Sequence, residues 1–376
     1  MRRLLIAILS MLPVSAWASP TTLRVAILEN LKIEKLSTDK YASDYLDGIK
    51  LAQEAAAKHG YKVEVQEFFY GKEPLAILEK LPEVLKWQPD LVIGPRTSSL
   101  FLLLKDHLQD VLVLSPFATA SAVADLPKNF HSLTLPNSYF TQAAVNLVRE
   151  NFPGRAIAPI VEIDCKNCMD FADEFEQRAA ESKVVVRPRA TYLKKNVETV
   201  DLAPLLGHVK DSDLLLVPNT SYTSGVIIPR VADHLKRRDL VVVGGDGWGD
   251  WTSSYVGKVK SAFPYEGFRV TPWSISGRGH RVRRFIVEYE LAKGAAPTGP
   301  AGLLSYATLS AAVDVLPKGG LKTGAAGVKT MLLNAFQEKV KIDPNYGRPT
   351  SYAIYKVTQN GESFVGEVSA LKAEAE

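Results

Sequence analysis

Two runs of small hydroxyl residues carry the first chemistry in the chain. Thr97-Ser98-Ser99 follows a Gly94-Pro95 break, and Ser115-Pro116-Phe117-Ala118-Thr119 follows the apolar run Val111 to Leu114. Hydroxyls and backbone N–H groups at such positions hold a small anion such as a carboxylate by dipole and neutral hydrogen bonds. They supply no acid, base or nucleophile pair. The same residues also suit an ordinary βαβ unit in which Ser and Thr do no more than cap helices. A second feature is Cys165-x-x-Cys168, a spacing shared by redox proteins and short structural disulfides.

Other chemistries find less support. No nucleophile elbow, phosphate loop or paired-carboxylate pattern is present, and Gly244-Gly245-Asp246-Gly247 lacks the spacing of a dinucleotide fingerprint. The six histidines are scattered singly, so they offer no further ligands for a metal at the cysteine pair. No enzyme activity, cofactor or metal is therefore expected. The basic run Gly277 to Arg284 reads as a solvated helix start or as a docking surface.

The elements that must position these residues begin after a leader. Arg2 and Arg3 precede the apolar run Leu4 to Val14 and an Ala16-Trp17-Ala18 site, which reads as a secretory signal peptide cleaved after Ala18. No Cys follows that site, so no lipid anchor is expected, and the mature protein is expected to be soluble and exported. Removing the two arginines lowers the formal charge from +4 to +2, too small an excess to make nucleic acid or an anionic membrane the main partner. With 46% hydrophobic residues, the length supports two lobes with full cores.

The first half reads as strands Leu23 to Leu28, Tyr61 to Phe69, Asp90 to Ile93 and Val111 to Leu114. Between them lie helices Asp44 to His59, Pro74 to Lys86 (with Pro82 placed to interrupt it) and Leu100 to Leu108. Strands separated by single helices imply a parallel sheet covered on both faces. After strand Phe130 to Leu135, the run Pro136-Asn137-Ser138 reads as a crossing point. A second series follows, with strands Ala156 to Ile163, Val184 to Pro188, Asp213 to Val217 and Leu240 to Gly244. Three later helices, Val282 to Lys293, Leu303 to Leu316 and Ala325 to Gln337, are surplus to it, so the chain is expected to recross near Phe263 to Pro272. A terminal hairpin, Ser351 to Val357 and Ser363 to Val368, turns at Asn360-Gly361. Several crossings between similar lobes mean a hinge. The cysteine pair then lies deep in the second lobe, whereas a thioredoxin-like enzyme would carry it in its first βαβ unit. That placement favours a disulfide over a transient redox pair.

Five motifs, in order, carry a resemblance: YLDGIKLA from Tyr45, VIGPRTSS from Val92, LSPFAT from Leu114, VVGGDGW from Val242 and SYATLSAAVDVL from Ser305. The chain resembles the type I periplasmic solute-binding proteins of the branched-chain amino-acid (Leu/Ile/Val-binding) family of ABC importers. The resemblance implies an α/β fold of two Rossmann-like lobes with parallel sheets joined by a multi-strand hinge. Residues 1–18 would form the signal peptide, 19–136 plus 270–340 the first lobe, and 137–269 plus 341–376 the second. It implies capture of a small ligand, a zwitterionic amino acid or derivative, and delivery to an inner-membrane ABC permease. The alternative is a sensor of the same fold acting on a membrane signalling protein.

By the same resemblance Ser98 and Ser99, with Ala118 and Thr119, would hold the ligand's α-carboxylate, and Asp246 would pair with its α-ammonium. Tyr222 would touch the ligand, Tyr41 would form a lid, and Trp248 would wall the pocket. Other readings stand beside these: a helix cap for Ser98, a turn aspartate for Asp246, a surface aromatic for Tyr222, and packing beneath a loop for Trp248. The pocket departs from the family pattern in three places. Cys168-Met169 replaces a common Tyr-Gly, Phe117 replaces a frequent glycine, and Ala301 or Gly302 replaces a closing aromatic.

Overall fold

Each short apolar run in the first half of the chain becomes a strand whose alternate side chains enter different cores. The computed structural model describes residues 21–30, 38–70, 75–211, 213–237, 239–248, 266–271, 280–297, 300–318, 326–343, 346–349, 351–358 and 361–369. The expected leader lies outside them. Strands β1 (Thr21–Leu28), β2 (Tyr61–Phe68), β3 (Leu91–Ile93), β4 (Leu112–Ser115) and β5 (Phe130–Ser132) form an all-parallel sheet in the order β2-β1-β3-β4-β5.

In β1, Leu23, Val25 and Ile27 pack under helix α1 (Thr38–Lys58), while Ala26 and Leu28 face α2 (Ala76–Trp87) and α3 (Ser98–Leu103) on the other side. Burial on both faces is why these strands read as continuous apolar runs. Helix α2 runs through Pro82, with Leu81 and Val84 buried beside it, so the missing N–H does not interrupt it. The helix expected over Leu100 to Leu108 is shorter than its pattern; α3 gives way to a 3-10 turn at Leu104–Asp106.

The second sheet contains β6 (Ile157–Glu162), β7 (Ala190–Tyr192), β8 (Leu214–Leu216), β9 (Val241–Gly244), β10 (Glu266–Thr271), β11 (Ser351–Thr358) and β12 (Gly361–Ser369), in the order β12-β11-β10-β9-β8-β6-β7. It is mixed rather than wholly parallel, because the terminal hairpin adds β11 antiparallel to β10 and β12 antiparallel to β11. Gly361 already pairs with Thr358, so the second strand of the hairpin starts earlier than expected.

Helices α4 (Asn137–Asn151) and α5 (Lys166–Glu181) cover one face of this sheet; α6 (Leu202–Leu206) and α7 (Ser221–Leu235) cover the other. The strand expected over Val184 to Pro188 forms only one bridge, Val186 to Ile157. Pro188 has no N–H to continue the ladder, and regular pairing resumes at Ala190 opposite Ile160.

After β10, helices α8 (His280–Lys293), α9 (Pro300–Asp314) and α10 (Ala326–Ile342) pack with α1 on the first sheet. Among the described elements the chain thus passes between the sheets three times: after β5, after β10 and after α10. Ala301 and Gly302, expected to open the pocket, instead lie buried in the crossing of α1 and α9. A Cβ on Gly302 would lie 2.8 Å from the Asp44 carbonyl oxygen, and one on Gly48 would lie 2.1 Å from the Gly302 carbonyl oxygen. No described helix is long and apolar enough to cross a membrane.

The crossing gives a test of the close approach. Gly48→Ala gains helix propensity but overpacks the contact. The net expectation is a loss of about 1–3 kcal/mol, read as a lower Tm in thermal denaturation. An unchanged or higher Tm would show that the two helices are not packed this closely.

Candidate functional site

Parallel strands bring their carboxyl ends to one edge of each sheet, and small ligands bind at such edges in α/β folds. On the first sheet the loops there are sewn together by serines. Ser98, the first residue of α3, is buried, and its Oγ accepts the N–H groups of Thr119 and Ala120, each at 3.1 Å. Ser115 Oγ donates to the Pro95 carbonyl at 2.8 Å and accepts the Ala118 N–H at 3.1 Å, while Ser132 Oγ donates to the Ala118 carbonyl at 2.5 Å. The backbone of Ala118 and the N–H of Thr119 are therefore engaged within the protein. Ser98 accepts twice, which leaves its hydroxyl hydrogen as the donor it can offer. Ser99 follows it on α3 and is exposed.

Thr119 reaches the second lobe. Its hydroxyl donates to Asn167 Oδ1 at 2.7 Å and lies 3.2 Å from Asp246 Oδ2, and its carbonyl accepts the Asn137 N–H at 2.7 Å. Asn167 Nδ2 stands 3.5 Å from Asp246 Oδ1. Asn137 Nδ2 donates to Asn167 Oδ1 at 2.9 Å and to Asp170 Oδ2 at 2.8 Å. Ser121 completes the junction: its N–H donates to Asp170 Oδ2 at 2.9 Å and its hydroxyl to Glu174.

Asp246 begins a 3-10 turn (Asp246–Trp248) just beyond β9. The glycines around it permit close packing. A Cβ at Gly244 would strike the Trp248 ring at 2.1 Å, and one at Gly247 would lie 2.7 Å from the Asn219 carbonyl oxygen. Burial pushes the Asp246 carboxyl up to about 6, against the pull of the Thr119 hydroxyl, the Asn167 amide and the N–H groups of Gly247 and Asp246 itself. All of those donors are neutral.

Two more buried acids lie at strand ends. Glu29, after β1, accepts the Arg96 N–H at 2.7 Å and the Asn30 N–H at 3.0 Å, with Arg96 Nε at 3.6 Å; burial still raises its pKa. Glu162, ending β6, accepts the Thr223 hydroxyl at 2.7 Å and is likewise raised by burial.

The structure thus brings Ser98, Thr119 and Asp246 into one connected set, with Ala118 just behind. It does not bring in Tyr222 or Trp248. Tyr222 is on the first turn of α7, not on a loop, with its hydroxyl 3.2 Å from Glu198 and its ring against the second-lobe core. Trp248 is fully buried beneath the loop and donates Nε1–H to the Val217 carbonyl at 2.9 Å. Tyr41 lies in α1, and its side chain is outside the described residues. Phe117 stacks on Tyr45 with ring centroids 6.5 Å apart.

Cys165 and Cys168 form a disulfide at the start of α5, where Cys165 Sγ also accepts the Cys168 N–H at 3.2 Å. Among the described residues no group of His, Cys, Asp and Glu could hold a metal ion. Sequence reasoning missed Asn167, Asn137, Asp170 and Glu29. Only Glu29 carried a signal, as a charge ending an otherwise apolar strand.

No protein-family model matches the chain, and no curated protein matches it in sequence. Solved structures match over nearly its whole length. The leucine-binding protein LivK of Thermotoga maritima is 14% identical at a TM-score of 0.75, covering 92% of this chain and 99% of its own. The branched-chain amino acid transporter substrate-binding protein LivJ of Streptococcus pneumoniae, solved with isoleucine, is 16% identical at 0.72, covering 93% and 99%. An ABC transporter solute-binding protein of Rhodopseudomonas palustris BisB5, in complex with 3,4-dihydroxybenzoic acid, is 16% identical at 0.69, covering 93% and 98%. The chain has the type I periplasmic binding protein fold.

The carboxyl of Asp246 makes stability depend on pH. The folded protein keeps this proton up to about pH 6, whereas an ordinary aspartate releases it near 3.8. Stability from this group is therefore full below the lower value, falls as pH rises through the window, and is flat above it. Compared with Asp246→Asn, the wild type should lose about 2 kcal/mol between pH 4 and pH 7 in urea unfolding. Parallel pH profiles for the two proteins would contradict the assignment.

Proposed function

We propose that the protein is a periplasmic substrate-binding protein that captures a small amino-acid-like ligand between its two lobes and delivers it to an ABC transporter. The observation that carries this reading is Asp246. A carboxyl buried at the junction of the lobes and reached by neutral donors is the partner an ammonium group needs, since a buried charge is stabilised by pairing. Across from it the Ser98 hydroxyl, joined to Thr119, supplies the neutral donor side for a carboxylate. A molecule bearing both charges would join the two jaws, and closure would follow from its differential affinity for the closed arrangement.

Solved structures of this fold support the general role, and they hold ligands of two classes: amino acids, and hydroxybenzoates such as the 4-hydroxybenzoate of a second R. palustris protein. Asp246 separates them. A benzoate-type anion beside this acid would need it protonated, whereas an amino acid needs it ionised. A signal peptide at residues 1–18, as the sequence pattern there suggests, fits export to the periplasm.

The test is a thermal-shift screen of amino acids and hydroxybenzoates followed by calorimetry of the best binder, since a ligand of the folded state raises Tm. For an amino acid, affinity should hold above about pH 6 and fall by up to roughly tenfold per pH unit below it, as Asp246 takes up its proton. Asp246→Ala should cost at least about 2 kcal/mol, roughly thirtyfold in Kd. Affinity that rises on acidification, or a variant that binds as well as wild type, would overturn the amino-acid reading.

A further inference from the structure

Beside Asp246 and Asn137, much of the second-lobe side of the junction is a single face of one helix. Asn167, Asp170 and Glu174 are spaced three and four apart on α5, so they share a face. All three meet the first lobe or the crossing: Asn167 takes the Thr119 hydroxyl, Asp170 takes the Ser121 N–H, and Glu174 takes the Ser121 hydroxyl. Asn167 is the member nearest the helix start, where backbone groups lack intrahelical partners and the first turn frays most readily. It also has the most demanding task. One carboxamide must present Oδ1 to Thr119 and Asn137 while its Nδ2 faces Asp246.

The disulfide sits across this turn. Cys165 immediately precedes α5, Cys168 is its third residue, and Asn167 lies between them. Cys168 is buried against Val161 and Ala172, which anchors one end of the loop to the core. A bridge that closes so short a loop removes little entropy from the unfolded chain, so its main effect is local. We propose that the Cys165–Cys168 disulfide positions Asn167 as the bridge between the lobes, so that reducing it loosens the contact between them. A dithiol would supply two electrons and two protons: the S–S bond breaks, two S–H bonds form, and the dithiol becomes a disulfide. Cys165, the half-buried partner, is the sulfur a thiolate can reach. The proposal concerns contacts the protein makes with itself and stands whichever ligand is taken.

Hydrogen exchange of the mature chain, with no small molecule added, tests it. The Ser121 N–H belongs to the first lobe but is capped across the cleft by Asp170, so its exchange reports on lobe contact rather than on the disulfide's own surroundings. Reduction by a dithiol, and separately the Cys165→Ser/Cys168→Ser protein, should speed exchange in the peptide containing Ser121 at least threefold, with far-UV circular dichroism unchanged. Oxidised Asn167→Ala should show the same acceleration, and reducing that variant should add nothing further. The proposal is overturned if faster exchange stays confined to the residues around Cys165 and Cys168. It is equally overturned if Asn167→Ala exchanges like wild type, or if reduction accelerates the variant as much as it does the wild type.

Discussion

A carboxyl that folding buries with only neutral groups against it among the described residues is the constraint around which the rest of the molecule is arranged. Asp246 is held by a threonine from one lobe, an asparagine from the other and two backbone N–H groups. Neutral donors soften the cost of burying an acid but do not remove it, which is why its proton is retained to about pH 6. The unmet preference is for a positive charge. It lies where the lobes touch, so anything that satisfies it also affects how firmly they stay together.

The fold supplies that placement by ordinary means. Two-faced cores lock the parallel strands in register, and the strands deliver Ser98, Ser115, Thr119 and Asp246 to neighbouring carboxyl edges. Local packing then does the fine positioning. Gly244 leaves room for the Trp248 ring beneath the turn, and the serines commit backbone N–H groups to one another so that the loops around Thr119 have a fixed shape. Rigid loops on rigid sheets let one junction carry the contact between the lobes.

Much of this was readable in the residues. Continuous apolar runs gave the buried parallel strands; the surplus of late helices pointed to the return of the chain; the GGDGW motif and the hydroxyl runs marked the strand ends. What escaped was set by tertiary contact. Val184 to Pro188 has strand composition, yet the missing N–H of Pro188 moves the ladder to Ala190. Trp248 and Tyr222 stand beside the right motifs, but their rings serve the second-lobe core. Asn167 was invisible because the reach of a short amide depends on where the neighbouring lobe lies, and the flanking cysteines drew attention to thiol chemistry instead of to the residue they hold.

If Asp246 takes an ammonium and Ser98 a carboxylate, as proposed, both charges of an amino acid are needed to draw the lobes together. Small-angle scattering of the protein with the best-binding amino acid, with the same molecule lacking its amine, and with the same molecule lacking its carboxylate tests this most directly. Only the molecule carrying both groups should lower the radius of gyration. Equal compaction by the deaminated acid would contradict it.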